Sequence, residues 1–127
     1  DVASFVVPVG ATINMDGTAI MQGLATMFIA STVGVELSLV QYGQIVLLAM
    51  VTSIGTAAVP SAGTVTLALI LGSVGLPLDA IGLILAVDRI LDMIRTSVNV
   101  CGDAAVSCIV AKSESELEEK TFNNLGA

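Results

Sequence analysis

Histidine and tryptophan are absent from this chain of 127 residues, and charged and aromatic residues are scarce. Charged side chains make up 12% of the sequence, about half the share found in a typical soluble domain. Hydrophobic residues account for 55%, and the mean hydropathy is +0.98. A chain of this composition cannot cover a water-facing surface with polar side chains, so we predict an integral membrane segment.

The absence of histidine also limits the chemistry. Nucleophile schemes that pair serine or cysteine with histidine are excluded. The glycine-containing segment 55–63 lacks the Gly-Lys-Ser/Thr ending of a phosphate-binding loop. An intramembrane aspartic protease needs two aspartates that share a proton, and a nearby arginine such as Arg95 disfavours such a pair. We therefore predict that the protein is not an enzyme.

Basic residues number four against eleven acidic ones, and four of the acids lie in the polar segment 113–127. So few basic and aromatic side chains offer nucleic acid no surface, which excludes that class of partner. Cys101 and Cys108 are seven residues apart on one predicted helix, too far for a disulfide, and we interpret them as apolar packing residues. Because the chain begins with Asp1 and shows no signal-peptide pattern, we expect a piece of a longer protein.

Polar residues interrupt the first apolar stretch. Residues 3–13 are apolar but too few to span a bilayer, which requires about 20 helical residues. They end at residues 14–18 (NMDGT), which combine side chains that end helices with side chains that begin them. We predict one transmembrane helix over residues 1–33 that is broken and unwound at Asn-Met-Asp. The alternative is a surface turn between two helices, which the short apolar flanks disfavour.

Residues 38–75 form two apolar arms around an uncharged tip. Ser38 is a candidate N-cap for the first arm, and the tip at residues 55–63 contains glycine, proline and serine. Such a backbone is tolerated at membrane depth only where protein or a water-filled cavity satisfies its polar groups. We predict a re-entrant helical hairpin. The alternative is two full membrane spans, for which the second arm is short.

The last apolar segment carries most of the charge. We predict one long transmembrane helix over residues 79–112, with Asp79 as its N-cap, followed by a polar acidic tail at 113–127. Five polar side chains fall within roughly 80° on that helix, with Thr96 at their edge: Asp88, Asp92, Arg95, Asn99 and Asp103. A charged stripe at membrane depth must pair internally or line a watery cavity, so it predicts a binding site.

The stripe matches a zwitterionic solute with an acidic side chain. Arg95 can neutralise one of the three carboxylates, which leaves negative charge for an external cation. A carboxylate such as Asp92 suits an ammonium group, and the fork of Arg95 suits a carboxylate, while Thr96 and Asn99 can add neutral hydrogen bonds. The alternative is a purely structural ion pair between Arg95 and one aspartate.

The break at residues 14–16 offers complementary chemistry for cations. Unwound carbonyls together with Asn and Asp oxygens suit alkali or alkaline-earth ions, and the lack of histidine or thiolate ligands argues against zinc, iron or copper. Broken helices that bind ions and anionic solutes recur in secondary transporters.

Three segments together resemble the dicarboxylate/amino acid:cation symporter family, whose members include glutamate and aspartate transporters. They are residues 10–18 (GATINMDGT), the tip 53–63 (SIGTAAVPSAG) and the helix 88–103. The resemblance covers residues 3–112 and implies the C-terminal part of the transport domain of an elevator-type carrier. It also implies a homotrimer, a multi-pass location in the plasma or inner membrane and a cytoplasmic tail.

The resemblance implies a role for each site residue. Asp92 would bind the ammonium group and Arg95 the side-chain carboxylate of the substrate. The rest of the substrate pocket would be formed by Met15, Thr18, Val59, Gly63, Asp88, Thr96 and Asn99, with the hairpin as the extracellular gate. Sodium ions would occupy three places, formed by Gly10, Asn14, Asn99 and Asp103; by Thr12, Met15, Ser53, Ile54 and Thr56; and by Asn14 and Asp16.

The resemblance also separates the substrate classes of the family. Carriers of neutral amino acids lack the arginine equivalent to Arg95, and C4-dicarboxylate carriers lack the aspartate equivalent to Asp92. This chain has both, so we predict a symporter of glutamate or aspartate. Asp16 and Asp103 favour coupling to sodium ions. Two alternatives remain: a proton-coupled glutamate symporter of the same family, and a structural or channel-forming helix bundle.

Overall fold

The computed structural model describes residues 2–56 and 62–124, and every regular element in these ranges is helical. In order, they are α1 Val2–Ile13, α2 Asp16–Thr32, α3 Leu39–Ile54, α4 Ala62–Ser73, a 3-10 helix Leu78–Ala80, α5 Ile81–Leu85, α6 Asp88–Ser113 and α7 Glu119–Asn123. This content confirms the predicted all-α class.

The interruption between α1 and α2 is two residues long. Asn14 still donates its backbone N–H to the carbonyl of Gly10 at 2.8 Å, as in a helix. Met15 then leaves the helical region, with φ −105° and ψ 46°. Its carbonyl accepts the N–H groups of Thr18 and Ala19 at 3.0 and 3.1 Å and so begins α2. Asp16 belongs to the first turn of α2, where a carboxylate favours the helix dipole.

α3 and α4 run antiparallel. Ser38 caps α3 in a capping box with Gln41, which confirms the predicted N-cap. Gln41 also donates from Nε2 to the carbonyl of Val74 at 3.3 Å, which ties the start of α3 to the end of α4. Gly75 follows with φ +76°, a conformation that favours glycine. The tip residues 57–61 lie outside the described residues, and the re-entrant placement in a membrane stays a prediction.

The prediction of one continuous helix over residues 79–112 is wrong in its first part. The structure has the 3-10 helix, the short α5 and an interruption at Ala86 and Val87, and α6 begins only at Asp88. Asp79 lies within the 3-10 helix, whose N-cap is Pro77, without a side-chain capping bond. Directly after the interruption, Asp88 is buried against α4, a tertiary contact that helical periodicity does not reveal.

α2 is the central helix and packs against α3, α4 and α6, while α1 packs mainly on α6. Most of the buried apolar side chains form one cluster around α2. Its members are Ala25, Ile29, Ala30, Ile45, Ala49, Leu67, Ile70, Leu71, Val74, Leu76 and Ile84. Because the core lies at one end of α2, the first turn of that helix is left to meet the polar face of α6.

The outer surface of the described helices is strongly apolar. Large side chains such as Phe5, Leu39 and Met93 are 72%, 86% and 72% exposed. Among the described helices, α6 is long and apolar enough to cross a membrane by length and composition, and α3 and α4 are shorter apolar helices. Exposed apolar surface on this scale is typical of a lipid-facing or partner-facing protein.

Candidate functional site

The candidate site lies where α1, α2 and α4 meet the polar face of α6. The first turn of α2 approaches α6 at Gly17, whose backbone N–H donates to Oδ1 of Asn99 at 2.8 Å. A Cβ at Gly17 would overlap the carbonyl oxygen of Arg95 and stand 3.0 Å from Asn99 Oδ1. Only glycine therefore permits this approach, which brings the residues around the α1–α2 interruption within reach of α6 side chains.

Met15, Thr18 and Asn99 form one polar cluster at this contact. Asn99 Nδ2 lies 3.2 Å from the sulfur of Met15 and 3.3 Å from Oγ1 of Thr18. Thr18 Oγ1 is 3.6 Å from the same sulfur, and both α2-side residues are buried. The structure therefore brings together three side chains that the sequence assigned to the substrate pocket. The thioether is a weak acceptor, so stronger partners could replace it at the Asn99 amide.

Asn14, Asp103 and Gly10 form a second cluster, between α1 and α6. Asn14 Nδ2 donates to Oδ1 of Asp103 at 2.9 Å. A Cβ at Gly10 would overlap the Asp103 carboxylate, and one at Gly102 would stand 2.7 Å from Asn14 Nδ2. Two glycines therefore allow this close contact. With Asn99 one helical turn before Asp103, all four residues of the first predicted sodium place lie at one junction.

Arg95 and Asp92 form an ion pair through Nη2 and Oδ1, and both side chains are largely buried. The second terminal nitrogen of the guanidinium, Nη1, occupies the space that a side chain at Gly63 would need. Arg95 therefore lies between its own helix and Gly63 at the start of α4. Asp88 faces α4 as well: it is buried and accepts a hydrogen bond from Thr64 Oγ1 at 2.8 Å.

Other predicted site residues are not brought into these clusters. Thr12 is exposed and donates to the carbonyl of Val9 in its own helix. Asp16, Ile54 and Thr96 are also exposed. Ser53 and Thr56 are buried, with hydroxyl groups that donate to carbonyls of α3. Val59 lies outside the described residues. The second and third sodium places therefore stay predictions.

A buried polar network on α2 was missed by the sequence reasoning. Gln22 and Thr26 are fully buried, and Gln22 reaches both α3 and α4. The available signal was the spacing: Thr18, Gln22 and Thr26 recur every four residues and so share one face of an otherwise apolar helix. Polar side chains on a buried helix face require partners. Those of Gln22 lie on the hairpin arms, whereas Thr26 donates to the carbonyl of Gln22 and Thr18 meets Asn99 of α6.

An apolar cavity of about 430 Å³ adjoins the site between α2, α5 and α6. Its lining includes Met21, Phe28, Leu91 and Arg95. Within residues 2–56 and 62–124, no three Cys, Asp or Glu side chains are grouped so that they could hold a metal ion. The junction of α1, α2 and α6 offers the amide oxygens of Asn14 and Asn99 and the carboxylate of Asp103, and oxygen ligands of this kind suit hard cations.

Comparisons with known proteins point to a single family. The model of the sodium:dicarboxylate symporter family matches residues 1–113. The chain is 56% identical over 109 residues to the excitatory amino acid transporter of Caenorhabditis elegans, covering 86% of this chain and 22% of that protein. It is 51% identical over 119 residues to excitatory amino acid transporter 3 of Mus musculus, covering 93% and 23%. The chain spans about a fifth of the length of the curated relatives it matches.

Proposed function

Since the chain belongs to the sodium:dicarboxylate symporter family, we propose that it is part of a secondary active symporter that carries glutamate or aspartate with sodium ions. The observation that carries this proposal is the pair of Asp92 and Arg95 on the buried face of α6, beside Gly63 of the hairpin. Relatives at 51–56% identity are named excitatory amino acid transporters, which supports transport and not catalysis.

The ion pair is suited to exchange with an acidic amino acid. The ammonium group of the solute replaces Arg95 as the partner of Asp92, and the side-chain carboxylate replaces Asp92 as the partner of Arg95. Each buried charge then keeps an opposite charge, so the exchange avoids the cost of an uncompensated buried ion. A planar guanidinium adds geometric selection, because it can hold a carboxylate through two parallel hydrogen bonds.

The remaining pocket residues supply neutral contacts and walls in this proposal. Thr18 and Asn99 already share a hydrogen bond beside Met15, and they can turn toward a substrate without leaving a charge unpaired. Gly63 and Val59 provide backbone groups of the hairpin. The wall of the pocket is completed by Asp88 and Thr96.

Sodium ions are co-transported cargo in this proposal. The first place uses oxygens of Gly10, Asn14, Asn99 and Asp103, and the 2.9 Å contact between Asn14 and Asp103 supports it. The second and third places use the residues assigned to them from the sequence: Thr12, Met15, Ser53, Ile54 and Thr56 for one, and Asn14 with Asp16 for the other. A sodium ion next to Asp103 would also compensate a carboxylate that Arg95 does not reach.

The membrane arrangement belongs to the same proposal. We place the chain in a multi-pass protein of the plasma or inner membrane, with the segment 113–127 in the cytoplasm and with homotrimeric assembly of the whole protein. The exposed apolar side chains on α3 and α6 support contact with lipid. Movement of this unit relative to a fixed scaffold would carry the solute across the membrane.

The test is uptake of radiolabelled aspartate into vesicles that contain the full-length protein bearing this segment. We expect saturable uptake that is lost when external sodium is replaced by choline. Uptake that persists without sodium and follows a pH gradient would contradict sodium coupling and support a proton-coupled symporter. Flux that does not saturate with aspartate would contradict a symporter and support a passive channel.

A further inference from the structure

Gln22 uses every polar group of its side chain to join three helices. It is fully buried on α2. Its Oε1 accepts a hydrogen bond from Thr52 Oγ1 of α3 at 2.9 Å. Its Nε2 lies 3.4 Å from the carbonyl oxygen of Gly63 and contacts Oγ1 of Thr66, both on α4. One amide therefore links α2 to both arms of the hairpin, close to where each arm meets the tip.

The chemistry of these contacts selects an amide. The two arms present different groups: a hydroxyl that donates from α3, and a carbonyl and a hydroxyl that accept on α4. An amide, with one acceptor and two donor hydrogens, satisfies both arms at once, while the single hydrogen of Thr52 is shared with the carbonyl of Leu48. An apolar side chain of the same length would leave the carbonyl of Gly63 and the hydroxyl of Thr52 with only their contacts inside their own helices.

Gly63 stands between this amide and the guanidinium of Arg95. Its carbonyl faces Gln22 Nε2, while the position of its missing side chain is occupied by Arg95 Nη1. Met21, the neighbour of Gln22, also touches this position, with its Cε at 3.3 Å from an ideal Cβ. The position of Gly63 relative to α2 therefore determines how much space is left for the guanidinium of Arg95.

We propose that Gln22 is a positioning residue for substrate binding: it holds the start of α4 against α2 and thereby keeps Arg95 where it takes the carboxylate of the solute. The inference rests on the proposed function, because it assigns Arg95 to the substrate. Gln22 itself contacts neither the solute nor an ion in this scheme. Its loss should therefore weaken substrate binding far more than it slows the transport cycle.

The main variant is Gln22→Met, which keeps side-chain length and removes all three contacts. Thr26→Val is the matched control, since Thr26 is equally buried one turn further along α2 and its hydroxyl donates to the carbonyl of Gln22 in its own helix. We expect the KM for aspartate to rise about tenfold in Gln22→Met, with a maximal rate within about twofold of the parent, as expected when buried partners lose their bonds. Thr26→Val should leave both values near those of the parent.

A second measurement does not depend on transport. Hydrogen exchange of the backbone amides at the start of α4 should accelerate in Gln22→Met and stay unchanged in Thr26→Val. A parent protein that takes up no aspartate would remove the proposed function, whereas the exchange data would still test the link between α2 and α4. If Gln22→Met does not fold, Thr66→Val serves instead, because it removes only one α4 partner of the amide.

Two results would overturn the inference. The first is an unchanged KM for aspartate together with unchanged exchange in α4. The second is an equal rise in KM for Gln22→Met and Thr26→Val, which would mean that any polar loss in the core of α2 has this effect.

A double variant adds a further check: Thr66→Val should raise KM less in the Gln22→Met background than in the parent, because the two side chains share one contact. Equal rises in both backgrounds would contradict the link.

Discussion

Replacing Gly10 with alanine tests the contact on which the first sodium place depends. A Cβ at this position would overlap the carboxylate of Asp103, which also accepts the bond from Asn14. The carboxylate has to move or α1 has to separate from α6. Inserting a methyl group into a packed contact costs about 1–3 kcal/mol. If that cost falls on the ion-bound state, the sodium concentration for half-maximal aspartate uptake should rise about 5- to 150-fold.

The control for this prediction is Gly23→Ala. Gly23 lies in α2, and a Cβ there would meet nothing within 4 Å. Alanine in a helix interior is favoured over glycine by about 1 kcal/mol, so this variant should be neutral or slightly stabilising. The assay is aspartate uptake at fixed aspartate and varied sodium, with thermal unfolding measured on the same preparations. An unchanged sodium dependence in folded Gly10→Ala protein would refute the assignment of Asp103 to a sodium site.

Three further predictions concern the substrate and the ions. Arg95→Cys should abolish aspartate uptake and leave or create uptake of serine or alanine. The control Arg89→Cys, on the exposed side of α6, should retain aspartate uptake. Unchanged aspartate affinity in Arg95→Cys would refute the role of Arg95. Gly63→Ala should raise the KM for aspartate about tenfold or more, because the new Cβ would displace the guanidinium of Arg95. The control Gly72→Ala, at a position with open space around it, should match the parent protein. Equal KM values for Gly63→Ala and the parent would contradict the contact. Asp103→Asn keeps a hydrogen-bonding side chain but removes its charge. The sodium concentration for half-maximal aspartate uptake should therefore rise at least about tenfold. A sodium titration like that of the parent would exclude the first sodium place.

The polar face of α6 shows how far helical periodicity reaches. The stripe was visible because side chains three and four residues apart share a face. In the structure its members meet different partners in succession: Asp88 meets α4, Asn99 meets α2 and Asp103 meets α1. The spacing predicted that one face would be polar, but it contained no information on which helix each residue would contact.

Glycines illustrate the same limit. Gly10, Gly17 and Gly63 stand where α6 side chains or backbone would collide with a Cβ, while Gly23 and Gly72 stand in open space. Nothing in the neighbouring sequence separates the two groups. Only the distance to another helix does, and that distance is a property of the packed molecule.

Local sequence determined the features that depend on neighbours in the chain. The interruption after Ile13 falls where Asn14, Asp16 and Gly17 favour caps and turns, and the cap at Ser38 follows from its spacing to Gln41. Composition likewise determined the apolar character of the chain, with 55% hydrophobic and 12% charged residues.

Tertiary structure alone decided the partners of Gln22 and of Asp88. The partners of Gln22 lie 30 to 44 residues away, on two helices that the chain has to fold back to place beside α2. The burial of Asp88 against Thr64 has the same origin, at a separation of 24 residues. Hydrogen bonds between residues so far apart in the sequence depend on how whole helices are arranged. That arrangement results from the packing of the whole core and not from any local sequence pattern.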